Sequence, residues 1–211
     1  MSNVLVISPH PDDESIGCGG TLRRHVLQGD IVQAVFLTSG ERGGHGRSRD
    51  DTMRIREEEA REAAAILGLA QIEFWRVPNG SLRLTGKLTD RLCAKLNEWP
   101  ADIIYVTHDR EMHPEHRAAA RLVKRAVSSL SGKLAKPKVF MFEVWTPLQR
   151  MDEIVDITPY IETKKAAIRA HQSQCEVMRF DDAFLGLARY RGEMFSWPEG
   201  DYAEVFARIA L

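Results

Sequence analysis

The residues best suited to chemistry in this chain of 211 residues form two short polar clusters, each placed directly after an apolar run. The first is His-Pro-Asp-Asp-Glu-Ser at residues 10–15, which follows Val4–Ile7. The second is Thr-His-Asp-Arg-Glu-Met-His-Pro-Glu-His at residues 107–116, which follows Ile103–Val106. Imidazoles and carboxylates gathered in this way are typical ligands of a catalytic divalent metal.

The spacing inside the first cluster predicts a pair of ligands. His10 and Asp13 are three residues apart. If Asp13 enters the first turn of a following helix, both side chains converge on one point. Asp12 then points elsewhere and lies beside that point as a free carboxylate. The flanking prolines Pro9 and Pro11 restrict the backbone on both sides of His10.

The second cluster supplies further imidazoles at the same spacing. Pro114 favours a helix start, and His113 and His116 are three residues apart. Two histidines and one carboxylate form a common catalytic zinc set that leaves a position open for water, whose pKa zinc lowers to roughly 7. Imidazole ligands favour zinc or another transition metal over magnesium. The spacing leaves open which of the two histidines is the ligand and which remains for acid–base work.

Each cluster alone has a simpler explanation, because acidic residues at a helix start complement the helix dipole and histidines there can act as caps. The occurrence of both clusters after strands of one α/β pattern favours the metal site. The glycines at residues 17–20 do not form a dinucleotide-binding loop, since the preceding carboxylates would repel a pyrophosphate. They predict instead that the helix start packs closely on the sheet.

Apolar runs alternate with helical patterns along the chain, which predicts an α/β fold with a Rossmann-like, doubly wound, mainly parallel sheet and helices on both faces. The predicted strands are Val4–Ile7, Ile31–Leu37, Ile72–Val77, Ile103–Val106 and Val139–Val144. The predicted helices are Gly19–Gln28, Thr52–Leu67, Thr85–Asn97 and Pro114–Ser129. After about residue 145 we expect a helical C-terminal extension, with helices at Thr158–Ala170, Asp181–Arg191 and Asp201–Ile209. Residues 1–211 are predicted to form one domain, with the polar loop Ser39–Asp51 as a mobile lid.

Composition excludes several classes of function. The 29 Lys and Arg residues balance 30 Asp and Glu residues, so no large basic field is present to hold nucleic acid. The three cysteines are far apart and lack CxxC spacing, which argues against disulfides and a thiolate zinc site. The first apolar run is too short for a signal peptide or a membrane span. We therefore expect a cytoplasmic protein that binds a small molecule.

At residues 9–14 the sequence Pro-His-Pro-Asp-Asp-Glu, together with His-Pro-Glu-His at residues 113–116, resembles the LmbE/PIG-L family of zinc-dependent N-acetylglucosaminide deacetylases. Matches to other segments of that family occur at residues 56–59, 66–68 and 156–174. The resemblance implies that His10, Asp13 and His116 hold zinc and that Asp12 is the general base. It implies that His113 stabilises the oxyanion and protonates the leaving amine.

Two positions depart from the family pattern. Glu115 stands where members often have aspartate, and an acid there is expected to pair with His113 and keep that imidazole cationic. Asn79 stands where many members have an aspartate that contacts the sugar. The longer acid would alter the position or the pKa of His113, and the amide would alter the contacts that select the sugar.

Further substrate contacts follow from the same resemblance. Arg56 resembles a substrate-contacting arginine, and the alternative is a solvated helix residue paired with Glu59 or Glu62. His171 either reaches the site or has a structural role. The large side chains Trp75, Phe142 and Trp145 are candidates for lining a pocket or for packing in the core.

The sequence therefore predicts a zinc-dependent hydrolase that removes the N-acetyl group from an N-acetylglucosamine-type sugar conjugate, giving acetate and a free amine. The alternatives are a metal-dependent hydrolase of another amide or an ester, and a non-catalytic metal- or sugar-binding protein on the same fold. Asp12 favours the enzyme, because a site that only binds gains little from an unpaired base. The resemblance also implies self-association into trimers or hexamers.

Overall fold

The computed structural model describes residues 1–130, 136–195 and 200–209, and within them seven strands form one sheet in the order β3-β2-β1-β4-β5-β7-β6. The strands are β1 (Asn3–Ser8), β2 (Ile31–Phe36), β3 (Gln71–Phe74), β4 (Ile103–Thr107), β5 (Lys138–Phe142), β6 (Glu153–Asp156) and β7 (Ala203–Arg208). The helices are α1 (Asp13–Leu27), α2 (Arg49–Leu67), α3 (Gly86–Glu98), α4 (Pro114–Ser129), α5 (Ile161–Ala170), α6 (Gln172–Cys175) and α7 (Phe180–Phe195), with a 3₁₀ helix at Thr158–Tyr160. The predicted α/β class is confirmed.

The central strand β1 separates two hydrophobic cores. Leu5 and Ile7 pack on one face with residues of α3 and α4. Val4 and Val6 pack on the other face with residues of α1, α2, α5 and α7. All four side chains are fully buried, which explains the continuous apolar run of a strand covered on both sides. Among the described helices, none has the length and hydrophobicity that crossing a membrane requires.

The strand order reverses on either side of β1, and this reversal brings the two polar clusters together. β1 pairs in parallel with β2 on one side and with β4 on the other. Ile7 is level with Val106, so both strands end at the same edge of the sheet. Ligands of open α/β sheets bind at such a switch point, beyond the carboxyl ends of the strands. The residues after β1 and after β4 therefore face a common crevice.

The glycines of α1 allow the predicted close packing. A Cβ atom on Gly17 would collide with the ring of Phe142 on β5, and one on Gly20 would lie 2.7 Å from Cβ of Ile157. Between them Cys18 has non-helical backbone angles (φ −145°, ψ 15°), so α1 is broken there. The close packing of α1 on its neighbours therefore coincides with a break in the helix at Cys18.

The C-terminal part of the prediction was wrong about two strands. The predicted helix Asp201–Ile209 is instead the strand β7, which lies between β5 and β6 and is antiparallel to both. Residues 203–207 are all buried, as expected for an interior strand, and the strand β6 was missed altogether. Pairing with the distant strand β5, where Phe142 is opposite Phe206, decides the conformation, and the short local pattern does not reveal it. In the described part of the extension there are thus three α-helices, one 3₁₀ helix and two strands.

The other predicted C-terminal helices are present. α7 covers the predicted segment Asp181–Arg191. At Thr158–Pro159 the chain first makes the 3₁₀ turn and then continues into α5, which ends at Ala170 as predicted. The strand predicted to reach Val77 ends at Phe74, because Arg76 has a positive φ of 54° that breaks the extended backbone.

Candidate active site and metal centre

Three side chains from the two clusters form a small triangle in the crevice, to which His10 and His116 each contribute one nitrogen and Asp13 its two carboxylate oxygens. His10 Nδ1 lies 3.2 Å from Asp13 Oδ2 and 3.2 Å from His116 Nε2, and His116 Nε2 lies 3.3 Å from Asp13 Oδ1. Tetrahedral zinc with bonds of about 2.0–2.1 Å places neighbouring ligand atoms about 3.3–3.4 Å apart. These residues therefore fit a tetrahedral metal ion with one position left for water or substrate.

Local backbone structure positions the three side chains of the triangle. The backbone N–H of His10 donates to Asp13 Oδ2 at 2.9 Å, which closes the bend between β1 and α1. Asp13 is the first residue of α1, as the spacing predicts. His116 lies in the first turn of α4, which begins at Pro114 and is capped by His113. Both helix starts therefore point at the same place.

A proton on His10 balances the negative charge of Asp13 in the triangle. Burial opposes a charge on His10, but hydrogen bonds to Asp13 and Glu115 outweigh burial and raise the pKa of His10 to about 9. Burial would raise the pKa of the Asp13 carboxyl, but the neighbouring His116 and His10 hold it well below its usual range. A metal ion at the same point would take over the charge of this proton, since metal ligands must be deprotonated.

His113 is the third imidazole of the cluster. Nitrogens of His10, His113 and His116 lie within 4.8 Å of one another, so these three could also hold a metal. However, His113 Nδ1 accepts the backbone N–H of Glu115 at 3.3 Å as the cap of α4. The neutral ring therefore carries its proton on Nε2. Burial and the nearby His10 and His116 lower the pKa of His113 to about 4.

The carboxylate of Glu115 pairs with His10 and not with His113. Its Oε2 accepts from His10 Nε2 at 2.8 Å and from Asn79 Nδ2 at 2.7 Å. Its Oε1 accepts the backbone N–H groups of Gly80 and Leu82 at 2.8 and 2.9 Å. Burial opposes ionisation, yet the bonds to His10 and to the two amides lower the pKa of Glu115 to about 2.

The expectation that Glu115 keeps His113 cationic is therefore wrong. Glu115 is the second residue of α4, and its side chain reaches across the crevice to His10, which follows β1. The contact of Glu115 with His113 is made by the backbone N–H of Glu115. Glu115 instead fixes the ring orientation of His10, since a carboxylate on the outer nitrogen is the usual partner of a metal-binding histidine.

Asp12 and Arg56 form a buried pair at the edge of the triangle. Arg56 Nη2 donates to Asp12 Oδ2 at 2.8 Å and to the carbonyl of Pro11 at 2.6 Å, while Nη1 donates to the carbonyl of Gly40 at 3.0 Å. Arg56 is only 5% exposed, so the alternative of a solvated helix residue paired with Glu59 or Glu62 is wrong.

The conformation and acidity of Asp12 are both unusual. Its φ of 136° is rare for a residue with a side chain, and strain of this kind is concentrated at functional sites. Burial raises the pKa of Asp12 to about 6, although the guanidinium of Arg56 partly offsets the effect of burial.

The triangle opens into a cavity of about 260 Å³. Asp12, Arg56, Asn79 and His113 line it together with His10 and Asp13 of the triangle, and the aromatic wall is Trp145 and Phe180. Gln174 closes another side and donates to the carbonyl of Gly43 in the loop after β2 at 3.1 Å. Trp75 and Phe142 belong to the two hydrophobic cores instead.

His171 lies behind this cavity. It is buried, with Nε2 3.4 Å from Ser15 Oγ and 3.6 Å from Glu14 Oε1. Glu14 in turn accepts the N–H of Asp12 at 3.3 Å and the hydroxyl of Ser15 at 2.7 Å. The structure thus brings seven of the eight predicted site residues to the cavity or its ligand triangle and places His171 against the first turn of α1.

Glu111 is a residue of the site that the sequence reasoning missed. Its Oε1 accepts the backbone N–H groups of Val144 and Thr146 at 2.8 and 3.3 Å. Its Oε2 faces His116 Nδ1 at 3.8 Å, and neither of these buried atoms has a hydrogen-bond partner among the described residues. Glu111 lies within the second cluster, but only the tertiary structure shows that it faces the outer nitrogen of His116.

The chain is similar to sugar deacetylases and to a hydratase. A probable N-acetyl-alpha-D-glucosaminyl L-malate deacetylase 2 of Bacillus cereus is 30% identical over 191 residues, which cover 85% of this chain and 86% of the relative. The solved structure of N,N'-diacetylchitobiose deacetylase from Pyrococcus horikoshii matches with a TM-score of 0.87 and 26% identity, over 99% of this chain and 84% of that one. A 4-oxalmesaconate hydratase of Pseudomonas putida is 27% identical over 193 residues, 82% of this chain and 74% of the relative.

The family model described as PIG-L, GlcNAc-PI de-N-acetylase, matches residues 5–127. This range contains both polar clusters and every ligand of the triangle. Relatives of the chain include N-acetylglucosamine-type deacetylases, as the resemblance implies. The chain belongs to the PIG-L (LmbE) family.

Proposed function

We propose that this protein is a zinc-dependent N-deacetylase that removes the acetyl group from an N-acetylglucosamine-type sugar conjugate. The observation that carries the proposal is the triangle of His10, Asp13 and His116 beside the free carboxylate oxygen of Asp12. The similarity to two sugar deacetylases supports the choice of substrate class.

His10, Asp13 and His116 are the proposed zinc ligands. Two imidazoles and one carboxylate suit zinc better than magnesium. Asp13 is preferred to His113 as the third ligand because its oxygens lie within 3.3 Å of both other donors and because His113 Nδ1 already accepts a backbone N–H. When bound, zinc supplies a Lewis acid that polarises the acetamide carbonyl and makes water more acidic.

Asp12 is the proposed general base. Arg56 occupies its Oδ2, whereas Oδ1 has no hydrogen-bond donor among the described residues. Oδ1 therefore takes the proton of the attacking water. A pKa of about 6 leaves Asp12 ionised at neutral pH and makes it a stronger base than an ordinary carboxylate. Arg56 holds the carboxylate in place while the proton moves.

His113 is the proposed donor to the carbonyl oxygen. Because its Nδ1 accepts the N–H of Glu115, the proton on Nε2 is available to the oxygen as negative charge develops there. Such a donor acts in the neutral form of the ring, which agrees with a pKa of about 4. The further role implied by the resemblance, protonation of the leaving amine by His113, stays a prediction.

Substrate contacts are proposed for residues that line the cavity. Asn79 uses Nδ2 on Glu115 and its carbonyl oxygen on the N–H of Arg42, so it has one amide hydrogen left for a sugar hydroxyl. Arg56 lines the same cavity and touches substrate next to Asp12. The predicted contact of His171 has no such support, because Glu14 and Ser15 lie next to its ring.

Acetate release from purified, zinc-loaded protein tests the reaction. The panel contains N-acetylglucosamine conjugates, their O-acetyl analogues and simple acetamides. We expect acetate and a free amine only from the N-acetylated sugars. Release from the esters or simple amides alone would support the alternative hydrolase. Tight zinc binding with no acetate from any compound would favour a binding protein or a reaction like that of the hydratase relative, which adds water without releasing acetate.

Two histidine variants test the ligand assignment. His116→Ala should lose bound zinc, measured by metal analysis after dialysis. His113→Ala should keep zinc and lose most of its turnover. The opposite result for zinc content would show that His113 is the ligand. The same measurement on both variants provides the matched control, because each removes one imidazole from the same helix start.

Four further points predicted from the sequence stay predictions. These are the single domain at residues 1–211, the trimer or hexamer, the cytoplasmic location and the mobility of the loop predicted at residues 39–51, of which residues 49–51 belong to α2. Gly40 and Gly43 of that loop accept hydrogen bonds from Arg56 and Gln174, so any opening of the loop would break both contacts.

A further inference from the structure

Glu14 is a buried carboxylate that the proposed reaction does not use. It is 1% exposed and directly follows Asp13 of the triangle. Its Oε2 accepts the backbone N–H of Asp12 at 3.3 Å, and its Oε1 accepts the hydroxyl of Ser15 at 2.7 Å. Because burial of a carboxylate is costly, these two hydrogen bonds indicate what Glu14 stabilises. The candidates are the start of α1 and the conformation of Asp12.

The hydrogen bonds of Glu14 differ from those of an ordinary helix cap. In a capping box, the acidic side chain of the third helical residue accepts the N–H of the N-cap residue, and the N-cap side chain accepts an N–H of the helix in return. In α1, Asp12 is the N-cap residue and Glu14 is the second helical residue. Within the described residues the side chain of Asp12 accepts no N–H of α1. The return bond that would stabilise the helix start is therefore missing.

A more common conformation of Asp12 would remove it as a base. Aspartate is a favoured N-cap residue, and such residues usually have β-region backbone angles and a carboxylate that accepts an N–H of the first turn. Asp12 instead has a φ of 136°, and its Oδ2 accepts from Arg56. Relaxation to the usual angles would relieve the strain and turn the carboxylate from the triangle to the helix start. Contacts elsewhere must therefore hold Asp12 in place.

Two contacts hold Asp12 in its strained conformation. Arg56 of α2 binds the carboxylate at 2.8 Å, and Glu14 binds the backbone N–H. The angle φ is the rotation about the bond that joins the backbone nitrogen to Cα. Fixing the N–H on one side of this bond and the carboxylate on the other therefore fixes φ.

A chain of hydrogen bonds supports the carboxylate of Glu14 from behind. Ser15 gives its hydroxyl hydrogen to Glu14, so the 3.4 Å contact between Ser15 Oγ and His171 Nε2 is a donation from the ring. The same ring nitrogen lies 3.6 Å from Glu14 Oε1. His171 is buried at the junction of α5 and α6. A distant part of the chain thus holds the carboxylate that binds the N–H of Asp12.

We propose that Glu14 is a positioning residue, which holds the backbone of Asp12 so that its carboxylate faces the triangle instead of capping α1. His171 supports Glu14 through Ser15. In the described lining of the cavity at the triangle neither Glu14 nor His171 occurs, so both act through Asp12 and not on the substrate. This inference rests on the proposed role of Asp12 as the base and adds the residues that keep the base in position.

Kinetics of two variants test the role of Glu14. Glu14→Met removes both acceptor oxygens from a side chain of similar length, and kcat for acetate release should fall by about 10²-fold, as for a small misplacement of a catalytic group. KM should stay within about twofold and zinc content should be unchanged, because the loss affects the chemical step. Glu14→Gln keeps one carbonyl oxygen, so its kcat should fall by only about 2–10-fold, the effect of one hydrogen bond.

Glu204→Gln is the matched control for Glu14→Gln. Glu204 is also a buried carboxylate that accepts backbone N–H groups of α1, those of Gly20 and Thr21. This variant should lower the free energy of unfolding and keep the wild-type kcat. An equal loss of kcat in both variants would assign the effect to general weakening of α1 and would overturn the inference. If Glu14→Met does not fold, this comparison still decides the question.

His171→Phe tests the support behind Glu14. The variant keeps an aromatic ring but removes the hydrogen that the ring donates to Ser15. Its kcat should fall by about 2–10-fold, as for the loss of one hydrogen bond, with KM and zinc content unchanged. A wild-type kcat would remove His171 from the proposed chain of hydrogen bonds.

The double variant Asp12→Asn/Glu14→Met separates positioning from damage to the fold. If Glu14 acts through the base, Glu14→Met should lower the residual kcat of Asp12→Asn by less than about twofold, because the effects of residues that act as a unit are not additive. A second loss as large as the loss in the single variant would show that Glu14 acts on something else. That result would overturn the inference while the deacetylase function stands.

A crystal structure of Glu14→Met tests the inference without turnover. We expect Asp12 to have a negative φ and its carboxylate to accept an N–H in the first turn of α1. A φ that stays near the present 136° would overturn the inference. If the wild-type protein releases no acetate from any compound but Asp12 relaxes in the variant, the proposed reaction is wrong and the positioning by Glu14 is right.

Discussion

Helix α1 contacts two buried clusters of charged side chains. The clusters differ in how many atoms of these side chains lack a hydrogen-bond partner. At the break near Cys18, Lys164 donates to the carbonyl of Ile16 at 2.5 Å and to Glu204 at 2.6 Å. Glu204 accepts the free N–H groups of Gly20 and Thr21 at 2.9 and 2.7 Å. The pair therefore replaces the helix hydrogen bonds that the break removes.

At the other cluster, around the start of α1, atoms remain unpaired. Arg56 Nε, Glu111 Oε2 and His116 Nδ1 are buried and lack partners among the described residues, and Asp12 has a strained backbone. This cluster opens into a cavity of about 260 Å³, whereas Lys164 and Glu204 line a space of only about 20 Å³. Burial of charge is thus common to a structural site and a functional one. The functional site is distinguished by its backbone strain, its access to a cavity and its unpaired atoms on ionisable side chains, whereas at the break the described atom without a partner is the neutral hydroxyl of Thr21.

The largest effect is expected at Asp12, where a substitution should lower activity but not stability. Asp12→Asn should lower kcat/KM for acetate release by about 10²–10⁴-fold, because it removes the base. The fold should be retained, since asparagine tolerates a positive φ and can still accept the bond from Arg56. Steady-state kinetics, zinc content and urea unfolding measure the three properties.

Asp109→Asn is the control for that prediction, because it is the same substitution at an exposed position just after β4. Substantial activity in Asp12→Asn would remove Asp12 as the base. A loss of zinc in that variant would instead make Asp12 part of the metal site.

At the break in α1 we expect the reverse of the effect at Asp12, because stability should fall while the site keeps its function. Lys164→Met should lower the free energy of unfolding by about 3–5 kcal/mol, because it leaves Glu204 buried without its cation. The folded fraction should keep its zinc and its KM, since Lys164 does not line the cavity at the triangle. Chemical denaturation and kinetics on the same sample measure both.

Lys165→Met, one residue further along α5 and partly exposed, removes the same charge and should change stability by less than about 1 kcal/mol. If Lys164→Met proves equally mild, the ion pair does not stabilise the broken helix, and the proposed difference between the two clusters fails.

The smallest expected effect is at Glu111. In Glu111→Gln the new amide would face His116 Nδ1 and donate to it, which favours the tautomer with a proton on Nε2, the proposed ligand atom. Zinc affinity should fall by about 10–100-fold, the usual range for an outer partner of a metal-binding histidine. Competition with a chromophoric chelator measures this affinity without any turnover.

Glu62→Gln on the exposed face of α2 is the matched control for Glu111→Gln. Unchanged zinc affinity in Glu111→Gln would show that the 3.8 Å approach to His116 has no influence on the ligand.

The two clusters could be found from the sequence because their chemistry is local. His10 and Asp13 are three residues apart, as are the N-cap residue His113 and His116, so one helix turn positions each pair. The apolar runs before them predicted buried parallel strands, and β1 and β4 confirm this. The same local rules failed at β7, where pairing with a distant strand decides the structure.

The sequence by itself determined the α/β class, the family resemblance and the residues from which a metal site could be built. Only the tertiary structure decided the partners of those residues: Glu115 bonds His10, 105 positions away, Arg56 bonds Asp12, and Glu204 bonds Gly20, 184 positions away. The physical reason is that spacing along a helix constrains neighbours within one or two turns. Contacts between distant segments depend on strand order and on which face each helix covers, and a short pattern contains neither.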